Sequence, residues 1–276
     1  METQQTHTSG SDLHDTLLDH NWEIVPELMD ELIEIIEEIK SFCKNVICTG
    51  NDYAFVKKHV PQRLLDALDG AVIETGTAFV DENEKEHSLV TAYEQHVINQ
   101  LNLDIQAAQF HGQLPDFKHF GERKHSISAF TKDENGGVAP EENLLPVIEE
   151  IVNKTEYADD VTVTYSSVAV DVFPKRLNKA TGLREVANGG KTIGIADSMN
   201  DFALILESDY SFVPLNATQA LLDELVKRGK RIVSLDNIRD EDIHDPDIVF
   251  QATQNDTKGV IEIFKFIRDN LNPNKE

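Results

Sequence analysis

The chain has 276 residues, 40% of them hydrophobic and 27% charged, an ordinary globular composition long enough for one large domain or a core with an inserted one. Its 50 acidic and 25 basic residues give a formal net charge of −25, and a surface that negative repels nucleic acid and anionic membrane alike. Cys43 and Cys48 form neither a metal-ligand pattern nor a disulfide framework, and no apolar run approaches the ~18 residues of a membrane span.

The start, METQQTHTSGSD, has neither the basic nor the apolar region of a signal peptide, so a cytoplasmic location is expected. Leu28, Leu32, Ile35, Ile36 and Ile39 recur at helical spacing behind Pro26, which predicts a helix over 26–40. The run NVICTG (45–50) reads as a buried strand ending in a turn, 52–68 as a second helix, and 69–80 as strand, turn, strand.

The composition changes over 81–172. Charged loops (DENEKEH and DENGGVAPEEN) and a polar, histidine-containing stretch surround two strand signals, SISAF (126–130) and 161–173, with a helix at 141–154. A block of that length can form its own α+β lobe. From 179 the alternation resumes with KATGLREVA as helix, TIGIAD as strand and NDFALILES as helix. SFVPL is then a strand, ATQALLDELVKRG a helix, RIVSL and DIVFQA strands, and TKGVIEIFKFIRDNL a closing helix. The sequence therefore predicts an α/β parallel-sheet core, 1–80 and 173–276, interrupted by a second domain, 81–172.

Three segments carry candidate chemistry. TIGIADSMNDF brings Asp197 to the carboxyl end of a strand and Asn200 and Asp201 to the start of a helix, where two carboxylates suit Mg²⁺. An N-cap aspartate followed by a helix-favouring acid would give the same spacing. Lys179 opens a helix after Pro174, as a phosphate-neutralising lysine or a solvated one. Thr49 and the Gly50 amide end another strand, as phosphate donors or as a plain turn.

The order of these pieces, with Asp12-Leu13-His14-Asp15-Thr16 ahead of them, resembles the haloacid dehalogenase (HAD) superfamily. It is similar in particular to the Cof-type, class IIB branch of sugar-phosphate phosphatases. GIADSMND and DVFPKRLNK are the most specific parts, while DGAVIETGTAFV and TKGVIEIF resemble the stretch before the inserted domain and the closing helix. The resemblance implies a Rossmann-like core with a C2B-type cap that sets substrate specificity. It implies Asp12 as a nucleophile that forms an aspartyl-phosphate, and Mg²⁺ bound by Asp12, the His14 carbonyl, Asp197 and Asp201. It also implies phosphoryl binding by Thr49, the Gly50 amide, Lys179 and Asn200. The implied partner is a small phosphorylated substrate, with a sugar phosphate as the expected class.

Four features depart from the family pattern. His14 stands where an aspartate acts as general acid and base, and histidine can do that proton chemistry near neutral pH. Asp15 replaces a glycine whose backbone freedom is normally needed there. Asn51 stands where many relatives carry arginine. The strand before the motif should be apolar, yet here it is THTSGS. Besides the phosphatase, two alternatives follow: a relative with impaired catalysis that keeps ligand or metal binding, and a phosphosugar mutase suggested by DVFPK and the lysine after it. His111, Arg123, Lys124 and His125 are candidates to face an anionic or sugar ligand or to be solvated, and Lys175 and Arg176, at the junction back to the core, to reach the active-site mouth or to be solvated.

Overall fold

The computed structural model describes residues 6–131, 140–166 and 168–273. Residues 133–139 of the expected DENGGVAPEEN loop (133–143) and the first five residues of the chain lie outside them. The chain divides into two compact units, 1–87 with 179–276, and 88–178.

The first unit is built on a sheet in the order β12-β13-β11-β10-β1-β2-β3-β4-β5. Its strands are β1 (His7–Ser11), β2 (Cys43–Cys48), β3 (Ala71–Ile73), β4 (Ala78–Val80), β5 (Glu86–Ser88), β10 (Lys191–Ile195), β11 (Tyr210–Val213), β12 (Arg231–Ser234) and β13 (Ile248–Gln251). From β12 through β3 every neighbour pairs in parallel, and β4 turns back antiparallel on β3. Helices cover both faces, as a parallel sheet requires. Side-chain alternation sorts the buried residues between them. Ile47, Ile193, Ile195 and Phe212 pack in one layer with α1 (Pro26–Ile39) and α9 (Asp256–Asn270). Val46, Cys48, Val72 and Val213 face a second layer with α6 (Lys179–Ala187), α7 (Phe202–Glu207) and α8 (Gln219–Lys227).

The polar segment before Asp12 is a central strand, buried at every position. Its polar groups are absorbed by pairing. Ser9 Oγ donates to Asn45 Oδ1 at 2.8 Å, and Asn45 Nδ2 donates to the Cys43 carbonyl at 3.1 Å. Its small residues are needed for close approach. A Cβ at Gly10 would lie 2.5 Å from Cys48 Sγ and 2.9 Å from Leu183 Cδ1. Gly182 in α6 would likewise meet Val72 Cγ1 at 2.5 Å. Helix α6 therefore packs closely on the sheet, with Leu183 seated over Gly10 and Val72 over Gly182 in the space that a second side chain would need.

The helix expected over 52–68 is two helices, α2 (Tyr53–His59) and α3 (Gln62–Ala67). Pro61 has no N–H to continue the ladder and keeps Val60 extended, at φ −86° and ψ 127°.

The second unit is a four-stranded sheet, β6-β7-β9-β8, flanked by α4 (Ala92–Phe110) and α5 (Pro140–Asn153). Its strands are β6 (Phe117–Phe120), β7 (Ile127–Thr131), β8 (Val161–Tyr165) and β9 (Ala169–Pro174), all antiparallel. The single strand expected over 161–173 is thus a hairpin, closed by Ser166 N donating to the Ala169 carbonyl at 2.8 Å. Val97, Leu101, Ile105, Ile127, Leu144, Ile148 and Val170 form its separate core. Among the described residues, no helix is long and apolar enough to cross a membrane.

Candidate active site

Strands β1 and β10 run side by side, and an aspartate follows each within two residues of its end. The Asp12 amide donates to the Ile195 carbonyl at 2.8 Å, which extends the ladder one residue beyond β1. Asp197 follows β10, and its carbonyl accepts from Thr218 N at 2.7 Å. Asp201 closes a 3-10 turn, Met199–Asp201, leading into α7. Oxygens of Asp12, Asp197 and Asp201 all lie within 4.8 Å of one another. The carboxyl end of a parallel sheet, beside its central strand, is where such folds bind ligands.

Lys179 opens α6 and reaches the same point. It is 3% exposed, its Nζ donates to Asp12 Oδ1 at 2.7 Å, and it also ion-pairs with the fully buried Asp201. Burial works against its charge, yet Asp12 and Asp201 outweigh that penalty and hold the ammonium well above the ordinary lysine range. The carboxylates feel the reverse balance. Burial, then the charge of Asp12, pushes both Asp197 and Asp201 well above the usual carboxylate range. Thr16 Oγ1 partly offsets this by donating to Asp197 Oδ1 at 2.9 Å. Three carboxylates against one ammonium leave excess negative charge in a dry site. Hard oxygen donors so placed suit a divalent cation such as Mg²⁺.

The loop after Asp12 is folded as one tight turn, with Leu17 N donating to the Asp12 carbonyl at 3.3 Å and Leu18 N to the Leu13 carbonyl at 2.8 Å. Leu13, Leu17 and Leu18 anchor it in the core. Asp15, at the family's glycine position, has φ +56°, in the left-handed region that glycine enters freely and aspartate enters with a smaller penalty than most residues. Its carbonyl accepts from Asn216 Nδ2 at 2.7 Å, which helps to hold that conformation.

Of the residues singled out in the sequence, Asp12, Lys179, Asp197 and Asp201 come together. Thr49 is buried at the end of β2, next to β1, and its hydroxyl accepts from Asn51 N at 3.2 Å and Asn51 Nδ2 at 3.3 Å. Gly50 follows it, half-buried. Asn200 is exposed, and its Oδ1 accepts from Ser198 Oγ at 2.5 Å. The His14 ring stacks on Trp22, with centroids 4.2 Å apart and planes at 24°. In the second unit, Arg176 is committed to Glu94, with Nε to Oε1 at 2.7 Å and Nη2 to Oε2 at 2.8 Å, while Lys175 is exposed. His111 caps α4, the Lys124 carbonyl accepts from Gln95 Nε2 at 2.9 Å, Arg123 Nη1 donates to the Glu122 carbonyl at 3.3 Å, and His125 Nδ1 lies 2.7 Å from Gln95 Oε1.

Sequence reasoning passed over Asn216, Trp22, Ser198 and His20. Asn216 had one usable signal, a polar residue closing the apolar strand SFVPL. The others had none, because their contacts depend on how the loops fold.

Fold and cluster define a doubly wound α/β protein with an acidic centre at the ends of two neighbouring parallel strands. The haloacid dehalogenase-like hydrolase profile matches residues 10–226, and the chain belongs to that family. Solved structures with the same fold include the sucrose-phosphatase of Synechocystis sp. PCC6803, at 17% identity, covering 97% of this chain and 100% of that one with a TM-score of 0.65. A HAD/Cof-like hydrolase from Plasmodium vivax follows at 16% identity, 96% and 95% coverage and a TM-score of 0.64. A HAD subclass IIB sugar phosphatase aligns at 13% identity, 95% and 99% coverage and a TM-score of 0.61. The fold is therefore that of the Cof-type, subclass IIB branch. No curated protein sequence matches the chain.

Proposed function

We propose that the protein is a magnesium-dependent phosphatase that hydrolyses a small phosphate ester, most simply a sugar phosphate, through an aspartyl-phosphate on Asp12. The observation that carries this reading is the buried cluster of Asp12, Lys179, Asp197 and Asp201 at the ends of β1 and β10. The Asp12 carboxylate attacks phosphorus, the bond to the leaving alcohol breaks, and water then hydrolyses the acyl phosphate. Lys179 orients Asp12 and offsets charge on the phosphoryl oxygens, while Thr49 Oγ1, the Gly50 amide and Asn200 donate to the substrate. Thr16 orients Asp197. Mg²⁺, held by Asp12, the His14 carbonyl, Asp197 and Asp201, would neutralise phosphoryl charge.

The sugar class is supported by the sucrose-phosphatase and the subclass IIB sugar phosphatase that share the fold. In this reading 88–178 acts as the cap that selects the substrate, and the protein works in the cytoplasm without nucleic acid or membrane partners, in keeping with its net charge of −25. The test is phosphate release from a sugar-phosphate panel with and without Mg²⁺. Asp12→Asn should lower the rate by about 10⁴-fold or more, the scale on which loss of a nucleophile is felt. Folded wild-type protein that releases no phosphate with Mg²⁺ would falsify the proposal.

One observation favours a second reading, in which turnover is reduced. His14, at the proton-transfer position, is turned to Trp22 and hydrogen-bonded to the His20 carbonyl at 3.2 Å. If that arrangement limits catalysis, His14→Asp combined with Asp15→Gly raises the rate above wild type. An unchanged or lower rate discards this reading.

A further inference from the structure

We infer that His14, Asp15 and His20 form a binding site for a divalent transition-metal ion of the Zn²⁺ class, separate from the carboxylate cluster. Asp15 Oδ2 lies 3.3 Å from His14 Nδ1 and 3.5 Å from His20 Nδ1. One ligand atom from each residue falls within 4.8 Å of the other two. Zinc binds imidazole nitrogen and carboxylate oxygen at about 2.0–2.1 Å, so two ligands on one tetrahedral edge stand about 3.3 Å apart. The two edges that meet at Asp15 Oδ2 already come close to that length.

The hydrogen bonding around His14 points the same way. Its Nε2 is 3.2 Å from the His20 carbonyl, which can only accept, so Nε2 carries the proton and donates. Nδ1 is then the nitrogen left to ligate a metal ion, and it lies on the side of the Asp15 carboxylate, 3.3 Å from Oδ2. Donation of the second ring N–H to a backbone carbonyl is the arrangement that fixes metal-binding histidines, and the Trp22 stack holds the ring plane as well. Asp15, with φ +56°, sits between the two histidines and is held there through its carbonyl by Asn216. His20 is 85% exposed at its side chain, so an ion can enter from solvent. Three protein ligands leave a fourth position for water.

The donor sets distinguish the two sites. Two imidazoles and a carboxylate select borderline metals, whereas three carboxylates select hard ones. The ion would also hold the His14 side chain, the group at the proton-transfer position. Its existence does not depend on the phosphatase reading.

The test uses full-length, metal-stripped protein titrated with Zn²⁺ alone against a chromophoric chelator, and with Co²⁺ alone followed by its visible absorption. Wild type should take up Zn²⁺ and give the intense visible bands of four-coordinate Co²⁺. His20→Ala, which removes an exposed side chain and leaves the fold intact, should weaken Zn²⁺ binding at least tenfold and abolish those bands. Asp12→Asn should change neither. Retained affinity in His20→Ala, or loss in Asp12→Asn, would overturn the site, the latter by locating the ion among the carboxylates. Absence of Zn²⁺ uptake by wild type would overturn it too. Each of these readouts is independent of phosphate release.

Discussion

The two strands that carry the central aspartates differ in composition and agree in position. β10 reads KTIGI, with Ile193 and Ile195 fully buried in an apolar layer. β1 reads HTSGS, and it is just as buried, flanked on both sides by parallel neighbours. A central strand needs no apolar face if its hydroxyls find partners across the ladder and its small residues let a helix close over it. Ser9 with Asn45 meets the first condition, and Gly10 beneath Leu183 meets the second. The charges at the two strand ends are then held by one lysine whose helix is seated by that close packing.

The largest stability effect expected from breaking this symmetry is at Lys179. Lys179→Met leaves Asp12 and Asp201 buried without their cation, and removing one partner of a buried pair costs about 3–5 kcal/mol. Urea denaturation of metal-free protein measures it. A loss below about 1 kcal/mol would mean that the carboxylates shed their charge more easily than the geometry indicates.

The next effect separates the two strands. Ser9→Ala removes the donor to Asn45 Oδ1 and leaves a buried amide oxygen unsatisfied, at about 1–3 kcal/mol. Ile193→Val in β10 deletes one methylene at about 0.5–1.5 kcal/mol. The polar change should therefore match or exceed the apolar one, and a silent Ser9→Ala would show that hydroxyl pairing does not hold β1 in place.

The smallest effect is a slope in pH. Burial lowers the His7 pKa from its ordinary value, with Asp209 opposing and Lys191 reinforcing the shift. The unfolded chain thus takes up this proton first as pH falls. The contribution of neutral His7 is full above about pH 6.5, the unfolded value, and is lost as pH falls through the lower folded one. Melting temperature between pH 7 and 5 should decline more steeply for wild type than for His7→Gln, and parallel curves would reject the assignment.

How much of this was legible follows from the same contrast. TIGIAD could be read as a strand delivering an acid and Lys179 as the start of a helix, but an N-cap and a solvated lysine fitted equally, and only the order of the segments joined them into one site. The β1 strand could not be read from its composition, since hydroxyl pairing across strands leaves no periodic signal. In α4, Val97, Leu101 and Ile105 carry helical spacing, but exposed Leu103 and Phe110 and the interspersed Asn and Gln residues blur it. The fate of Asp15 was half legible: its tolerance for left-handed backbone is a property of the residue and His14 is its neighbour in sequence, while the approach of His20 emerges only from the folded loop.

β2 carries both cysteines, Cys43 in the layer with α1 and α9 and Cys48 in the layer with α6 and α7. Both are fully buried, and that burial pushes both thiols well above the ordinary range, so neither reacts while its layer is closed. Alkylation at each position therefore counts openings of one layer. The pair forms a built-in, two-channel clock, able to tell whether the sheet sheds its two helical coats together or one before the other.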